Sequence, residues 1–400
     1  MSTEQILLQT FTIAIFAGIL IQVLTEKFKM PGIVFLILTG ASLGPQCLGL
    51  IHPEALGDGL AVLISLGVAL ILFEGGLCLD LNSLKTVNKS VYNMTVIGTS
   101  IHIIGGAILA HYLVGLSWGI SVLYGSFISI AGITAINLIL DRVKVKKEVT
   151  TIMRSEGIFS DAIGAFLSVG ILQFILAAKG ASVVALIYDF TEKLFIGVFI
   201  GFLMGWVLGK ILKHKLVSFE LINLAVLAWV FMTYFLSNLV ENNTGIMAVA
   251  VAGFAVQREK IPQLATLKYF KSQLTVLFIA VLFILISADL DLSILSKVGG
   301  LGVIVSLLII FVVRPLAVFV SNHGLLSFKD KVFISWIGPK GIVAASVASL
   351  FKLILEKNGI EEGIILESLV FVTIIVTETL PGLTARSMAK WCDCLVTMNS

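Results

Sequence analysis

The stretch EGIFSDAIGAFLSVG (156–170) puts two carboxylates and a hydroxyl, Glu156, Asp161 and Ser160, at the head of a long apolar run. A charge at the centre of a bilayer costs at least ~2.5–3.5 kcal/mol, so it marks either function or a pairing partner. A lone carboxylate in a dry cavity is neutralised equally well by a proton or by a small cation, because burial penalises the bare anion. Competition between the two at Asp161 is the minimal chemistry of cation-for-proton exchange. The alternative is a packing carboxylate balanced by a nearby base. Ser160 and Thr134 offer hydroxyl oxygens that a hard cation accepts, or they bond their own helix backbone.

Other polar residues stand where apolar ones would be cheaper. Arg314 sits inside IIFVVRPLAVF (309–319), and Glu156 and Arg314 read as a buried ion pair that fixes helices around the site. Pro315 weakens the same helix. Lys340 lies between Pro339 and Gly341 in SWIGPKGIVAAS, a context that breaks helices and leaves free carbonyls for a cation to offset. A similar weak point at Ala131-Gly132-Ile133-Thr134 has Asn137 three residues on. Crossed broken helices framing a carboxylate make an ion site; Gly132 alone also suits close packing. Glu74, before Gly75-Gly76, reads as lining a cavity mouth. His102 and His111 fall in one apolar segment and read as polar packing. No phosphate loop, nucleophile elbow, zinc-protease motif or filter-like carbonyl loop is found, so an enzyme reading has no support. Neither a bound cofactor nor a nucleic-acid partner is implied.

These residues need elements to hold them, and composition says which. Of 400 residues 58% are hydrophobic and 13% charged, and mean hydropathy is +1.07. Soluble domains run nearer half apolar and a quarter charged. The four cysteines, with Cys392 and Cys394 as a CxC, suit neither a disulfide scaffold nor a zinc site. No cleavable leader is expected, the first apolar run being long enough to span. Thirteen apolar segments lie near 6–24, 31–44, 60–79, 91–114, 118–140, 150–178, 190–212, 219–239, 244–256, 267–287, 299–320, 332–351 and 362–385; segments 2 and 9 are short. Odd-numbered loops and the tail carry eighteen Lys and Arg, even-numbered loops five. The expected orientation is therefore N-terminus outside and C-terminus cytoplasmic.

A faint repeat runs through the chain. Gly32 and Gly40 match Gly245 and Gly253, Asp80 matches Asp291, and Glu156 matches Glu367, at offsets of 211 to 213. Seven helices between copies, an odd number, inverts the second copy, as in secondary transporters. Segment 7 would be the linker. The expected fold is an all-α polytopic membrane protein of about thirteen transmembrane helices, with inverted repeats of helices 1–6 and 8–13 and crossed broken helices 5 and 12.

Four stretches together resemble the monovalent cation–proton antiporter superfamily and, within it, the NhaP-like sodium–proton exchangers. They are LILFEGGLCLDL (70–81), AINLILDRVKVKKEV (135–149) leading into SEGIFSDAIGA, FKSQLTVLFIAVLFILISADLDL (270–292) and WIGPKGIVAASVASLF (336–351). The resemblance spans about residues 10–385. It implies a scaffold and dimerisation unit from 1–88 and 218–297 and an ion-transporting core from 89–180 and 298–390. A linker helix at 181–217 and a short cytoplasmic tail at 391–400 complete the division. It implies Asp161 as the ion-binding aspartate, Glu156 and Arg314 as its structural pair and Lys340 as the basic residue of the twelfth helix. It also implies a homodimer in the inner membrane carrying Na⁺ or K⁺ against H⁺, without net charge movement. The sequence departs from the family at Ser160, where an asparagine is usual, at Gly157 where a hydroxyl is, at Ala131-Gly132-Ile133 in place of Thr-Asp-Pro, and at Asp289 where a base is common. Two other readings stay open: a sodium-coupled organic-anion symporter on a related fold, and a non-transporting sensor or scaffold.

Overall fold

The structure is a computed structural model that describes residues 2–28, 30, 32–78, 89–177, 183–218, 220–259, 264–323 and 325–394. Its rods are α1 (Thr3–Phe28), α2 (Gly32–Leu43), α3 (Asp58–Cys78), α4 (Lys89–Val114), α5 (Trp118–Ser129), α6 (Ile133–Val143), α7 (Lys147–Ala177) and α8 (Val183–Lys213). Then follow α9 (Ile222–Val240), α10 (Gly245–Arg258), α11 (Leu264–Ala288), α12 (Leu292 to Ser321), α13 (Phe328–Trp336), α14 (Ile342–Lys357) and α15 (Glu362–Trp391). No strand occurs among the described residues. Among the described residues eight helices are long and apolar enough to cross a bilayer, and four shorter ones are apolar. Large side chains such as Phe16, Phe195, Phe199, Phe311 and Leu383 face outward, as on a surface meant for lipid rather than water.

Of the two short segments the second is enclosed, whereas the first keeps Leu38 and Ser42 exposed. Twelve residues of α2 span only about 18 Å. Almost all of α10 is buried, held between α3, α8 and α9. Small residues let these backbones touch. A Cβ on Gly253 would lie 2.1 Å from the Phe73 carbonyl oxygen of α3, and one on Gly40 would lie 2.6 Å from the Ile284 oxygen of α11. Gly40 and Gly253 are equivalent in the repeat, and so are the helices they meet. The repeat thus has physical content: segment 2 packs on segment 10 as segment 9 packs on segment 3. Asp291 caps α12 by accepting from the Ser293 amide at 2.8 Å; its repeat mate Asp80 lies outside the described residues.

Pro315 does not end its helix. The turn before it, Ile309–Val313, widens to π geometry, and Arg314–Ser321 continues as α-helix. A wide turn absorbs the donor that proline lacks. The two predicted breaks are real. Segment 5 is α5 and α6 separated by extended residues at Ile130 and Gly132, and segment 12 is α13 and α14 separated at Ile337–Gly341.

Candidate functional site

The two breaks cross each other. The Gly132 amide donates to the Pro339 carbonyl at 2.8 Å. A Cβ on Gly341 would stand 2.5 Å from the Gly132 Cα, and one on Gly132 would stand 3.0 Å from the Gly341 Cα. Only glycine at both positions allows this approach, because a β-carbon would overlap backbone that cannot yield. The free N-terminus of α6 then points across the membrane interior beside α7, where Asp161 sits.

Asp161 is buried and faces a cavity of about 580 Å³. The Ile133 amide at the start of α6 lies against its carboxylate, while its Oδ1 has no hydrogen-bond partner among the described residues. The cavity runs between α1, α3, α8, α10 and α11 on one side and α6, α7 and α14 on the other. Its polar lining is sparse, chiefly Gln22, Glu74 and Asp161 among apolar residues such as Ile71, Phe254 and Ile279. Glu74 and Asp161 therefore share one chamber, and Gly75 brings α3 close to Ala162 of α7.

Glu156 and Arg314 form a buried bidentate ion pair. Arg314 donates through Nη1 to Glu156 Oε1 and through Nη2 to Oε2 at 3.0 Å. The same Nη2 reaches the Ile334 and Ile337 carbonyls at 3.3 and 3.4 Å. These are the carbonyls that the end of α13 leaves unserved, so the arginine ties α7 and α12 to the break itself. Gly338 is small because the arginine side chain occupies the space of its Cβ, 2.9 Å from Nε.

Lys340 is buried, and its backbone amide donates to Thr377 Oγ1 of α15 at 3.3 Å. Among the described residues it forms no ion pair. It faces a second, closed cavity of about 10 Å³ together with Thr99, His102, Ser129, Glu156, Ser160 and Arg314. Ser160 thus turns to this cavity and not to the chamber that Asp161 lines. A helix rotates 100° per residue, so neighbours in sequence look in different directions. Asn137 is half-buried on α6 and lines neither cavity. Thr134 belongs to the first turn of α6, and its side chain lies outside the described residues.

His102, read from the sequence as polar packing, donates through Nδ1 to the Gly98 carbonyl at 2.7 Å and sits at the second cavity. Two groups near the site escape a reading of the sequence. Thr377 is the hydroxyl under the Lys340 amide. Glu378, next to it, is buried, and its Oε2 has no partner. The signal was present, a charge in the apolar run VTETLPG, but no partner or break in the sequence pointed at it.

Comparison with known proteins places this geometry. Residues 11–391 match the family described as sodium/hydrogen exchanger, transmembrane. The chain is 26% identical over 355 residues to a Na⁺/H⁺ antiporter 1 of Methanocaldococcus jannaschii, covering 86% of this chain and 83% of that one. It is 23% identical over 389 residues to a K⁺/H⁺ antiporter NhaP of Alkalimonas amylolytica, covering 94% and 64%. Among solved structures, the sodium proton antiporter MjNhaP1 from M. jannaschii at pH 8 superposes with a TM-score of 0.81 at 22% identity, over 97% of this chain and 99% of that one.

Proposed function

The chain belongs to the transmembrane sodium/hydrogen exchanger family, and on that footing we propose how its residues carry out exchange. It is a multi-pass membrane transporter that exchanges a monovalent cation for protons, and those ions are its substrates. Asp161 is the carrier. One observation supports this above the rest: a buried carboxylate, with an oxygen unpartnered among the described residues, lines a large chamber beside the crossed breaks. A cation entering the chamber displaces the proton from Asp161, and a proton returning displaces the cation. The α6 N-terminus favours the anionic carboxylate that binds the cation.

The remaining parts have supporting roles. Glu74 draws cations toward the chamber, Glu156 and Arg314 hold the breaks in register, and Lys340 offsets the carbonyl ends at the crossing. Ser160 serves the second cavity rather than the ion. The thirteen segments cross with the N-terminus outside, which puts the chamber mouth, near Gln22 and Glu74, on the cytoplasmic side. Helices of residues 89–180 and 298–390 move as a core against a scaffold of 1–88 and 218–297, in a homodimer of the cell membrane. Relatives bearing both Na⁺ and K⁺ names leave Na⁺ and K⁺ as the two candidate cations. The organic-anion reading fits poorly: the charged side chains lining the chamber, Glu74 and Asp161, are both acidic and repel an anion.

One carboxylate releases one proton for each cation it binds, so exchange is one for one and electroneutral. The test is proton flux in proteoliposomes on addition of Na⁺, K⁺ or Li⁺, with and without a valinomycin-imposed potential. Wild type is expected to exchange at a rate independent of potential, and Asp161→Asn not at all while remaining folded. Cation-driven flux in Asp161→Asn would assign the proton to another group.

A further inference from the structure

The chamber is lined on α11 by Val276 and Ile279, and further along that helix side chains from the two sides of the chamber meet. Two layers make the seal. The inner layer is Phe283 of α11 against Phe371 of α15, ring centroids 6.4 Å apart. The outer layer is ionic. Lys352 of α14 lies 3.3 Å from Asp289, just after α11, and 3.2 Å from Glu367 of α15. Asp289 is ten residues beyond Ile279, the last residue of α11 on the chamber wall, which is about 15 Å of helix. The ionic layer therefore lies at the end of α11 away from the chamber.

The three charges divide unequally. Lys352 and Glu367 are both on helices assigned above to the moving core, and Asp289 is on the scaffold. We propose that Lys352 is a positioning residue for exchange, an ionic latch that joins core to scaffold at Asp289 and keeps the side opposite the chamber closed. The proposal rests on the division into core and scaffold made under the proposed function.

The chemistry suits a contact that opens on each cycle. When the halves separate, Lys352 keeps Glu367, whose side chain is 3% exposed, so no buried charge is stranded. Asp289 is 36% exposed and takes water in place of the ammonium. The two bonds thus differ in kind: Lys352–Glu367 is internal to the core and persists, whereas Lys352–Asp289 spans the gap and exchanges for hydration. An ion pair wetted at one end contributes little, which is what a reversible latch needs. A fully buried bridge across the same gap would resist opening.

Ile286 lies on α11 between Phe283 and Asp289 at helical spacing and is buried, so a cysteine there reports opening of this side. In a chain whose native cysteines are replaced, Ile286→Cys would be labelled with a bulky maleimide in lipid nanodiscs, where both faces are accessible. Asp289→Asn removes the spanning bond and leaves the Lys352–Glu367 pair intact, so folding is preserved. Labelling is expected to speed up roughly two- to fivefold. Asp289→Glu, which keeps the carboxylate opposite Lys352, should label near the starting rate, which a merely local loss of packing would not do. Unchanged labelling in Asp289→Asn would overturn the latch. Because labelling needs no ion flux, it separates the two readings. Normal flux with unresponsive labelling sinks the latch alone, and responsive labelling in a chain without flux sinks the exchange reading alone.

Discussion

Separating Glu156 from Arg314 tests whether the crossing is held by charge. Either single change strands the other group in a dry place, which costs about 3–5 kcal/mol. The structure makes the two losses unequal. In Glu156→Ala the guanidinium keeps the Ile334 and Ile337 carbonyls, so the loss is nearer 3 kcal/mol. In Arg314→Ala the carboxylate is left alone, those carbonyls lose their donor, and the side chain packed on Gly338 disappears, so the loss is nearer 5 kcal/mol. Additive effects would sum to about 8 kcal/mol. The double variant carries no stranded charge and is expected at about 5 kcal/mol, a coupling of roughly 3 kcal/mol. The assay is SDS-titrated unfolding of the four proteins in mixed micelles, followed by tryptophan fluorescence. Single variants that unfold with wild type, or a double variant within about 0.5 kcal/mol of additivity, would refute the reasoning.

Three further outcomes follow from particular contacts. Gly341→Ala places a β-carbon 2.5 Å from the Gly132 Cα and is expected to cost about 1–3 kcal/mol or more and to lose exchange, whereas Gly382→Ala in α15 meets nothing within 4 Å and should melt at or above wild type. Cys47 is exposed while Cys394 is buried, and burial followed by the nearby Asp330 carboxylate pushes the Cys394 thiol up to about 12; a maleimide at pH 8 should label Cys47 and spare Cys394 until the chain is unfolded, as seen by mass spectrometry. Asp393 is held below its ordinary value by the hydrogen bond from Lys329 and by its charge. A lowered acid contributes above its unfolded value of ~4 and stops contributing as pH falls through the folded one, so proteolysis of the tail should accelerate only below about pH 4 and Lys329→Met should remove that dependence.

The sequence announced the site's frame through cost. Charges in apolar runs and Gly-Pro-Lys-Gly in mid-span are expensive enough to stand out, and Glu156, Arg314, Asp161 and both breaks could be placed without coordinates. Direction could not be placed. Ser160 and Asp161 are adjacent in the chain yet face different cavities, because a one-residue step turns the helix by 100°. The latch was equally hidden: Lys352 and Asp289 look like ordinary loop-end charges until α11 and α14 are brought together. Cys394 lies in what the sequence reads as a short cytoplasmic tail, yet it is buried, and its carbonyl accepts from the Lys146 amide. The tail is docked through that backbone bond and the Lys329–Asp393 ion pair, neither of which a pattern in the sequence records.

Glu378 is where this matters most for the mechanism. It is buried one residue from Thr377, the hydroxyl that holds the Lys340 amide, and its Oε2 has no partner. One-for-one exchange follows from Asp161 alone only if Glu378 and Lys340 keep their protons unchanged through the cycle. If Glu378 is silent, Glu378→Gln, which keeps its shape and cannot titrate, should leave exchange insensitive to an imposed potential and change the rate less than about threefold, a ΔΔG‡ under roughly 0.7 kcal/mol. If instead Glu378 releases a second proton when the cation binds Asp161, wild type would be driven by potential and Glu378→Gln would not. The pair of flux measurements therefore decides whether this chain moves one proton or two, and the deciding carboxylate is one that faces neither cavity.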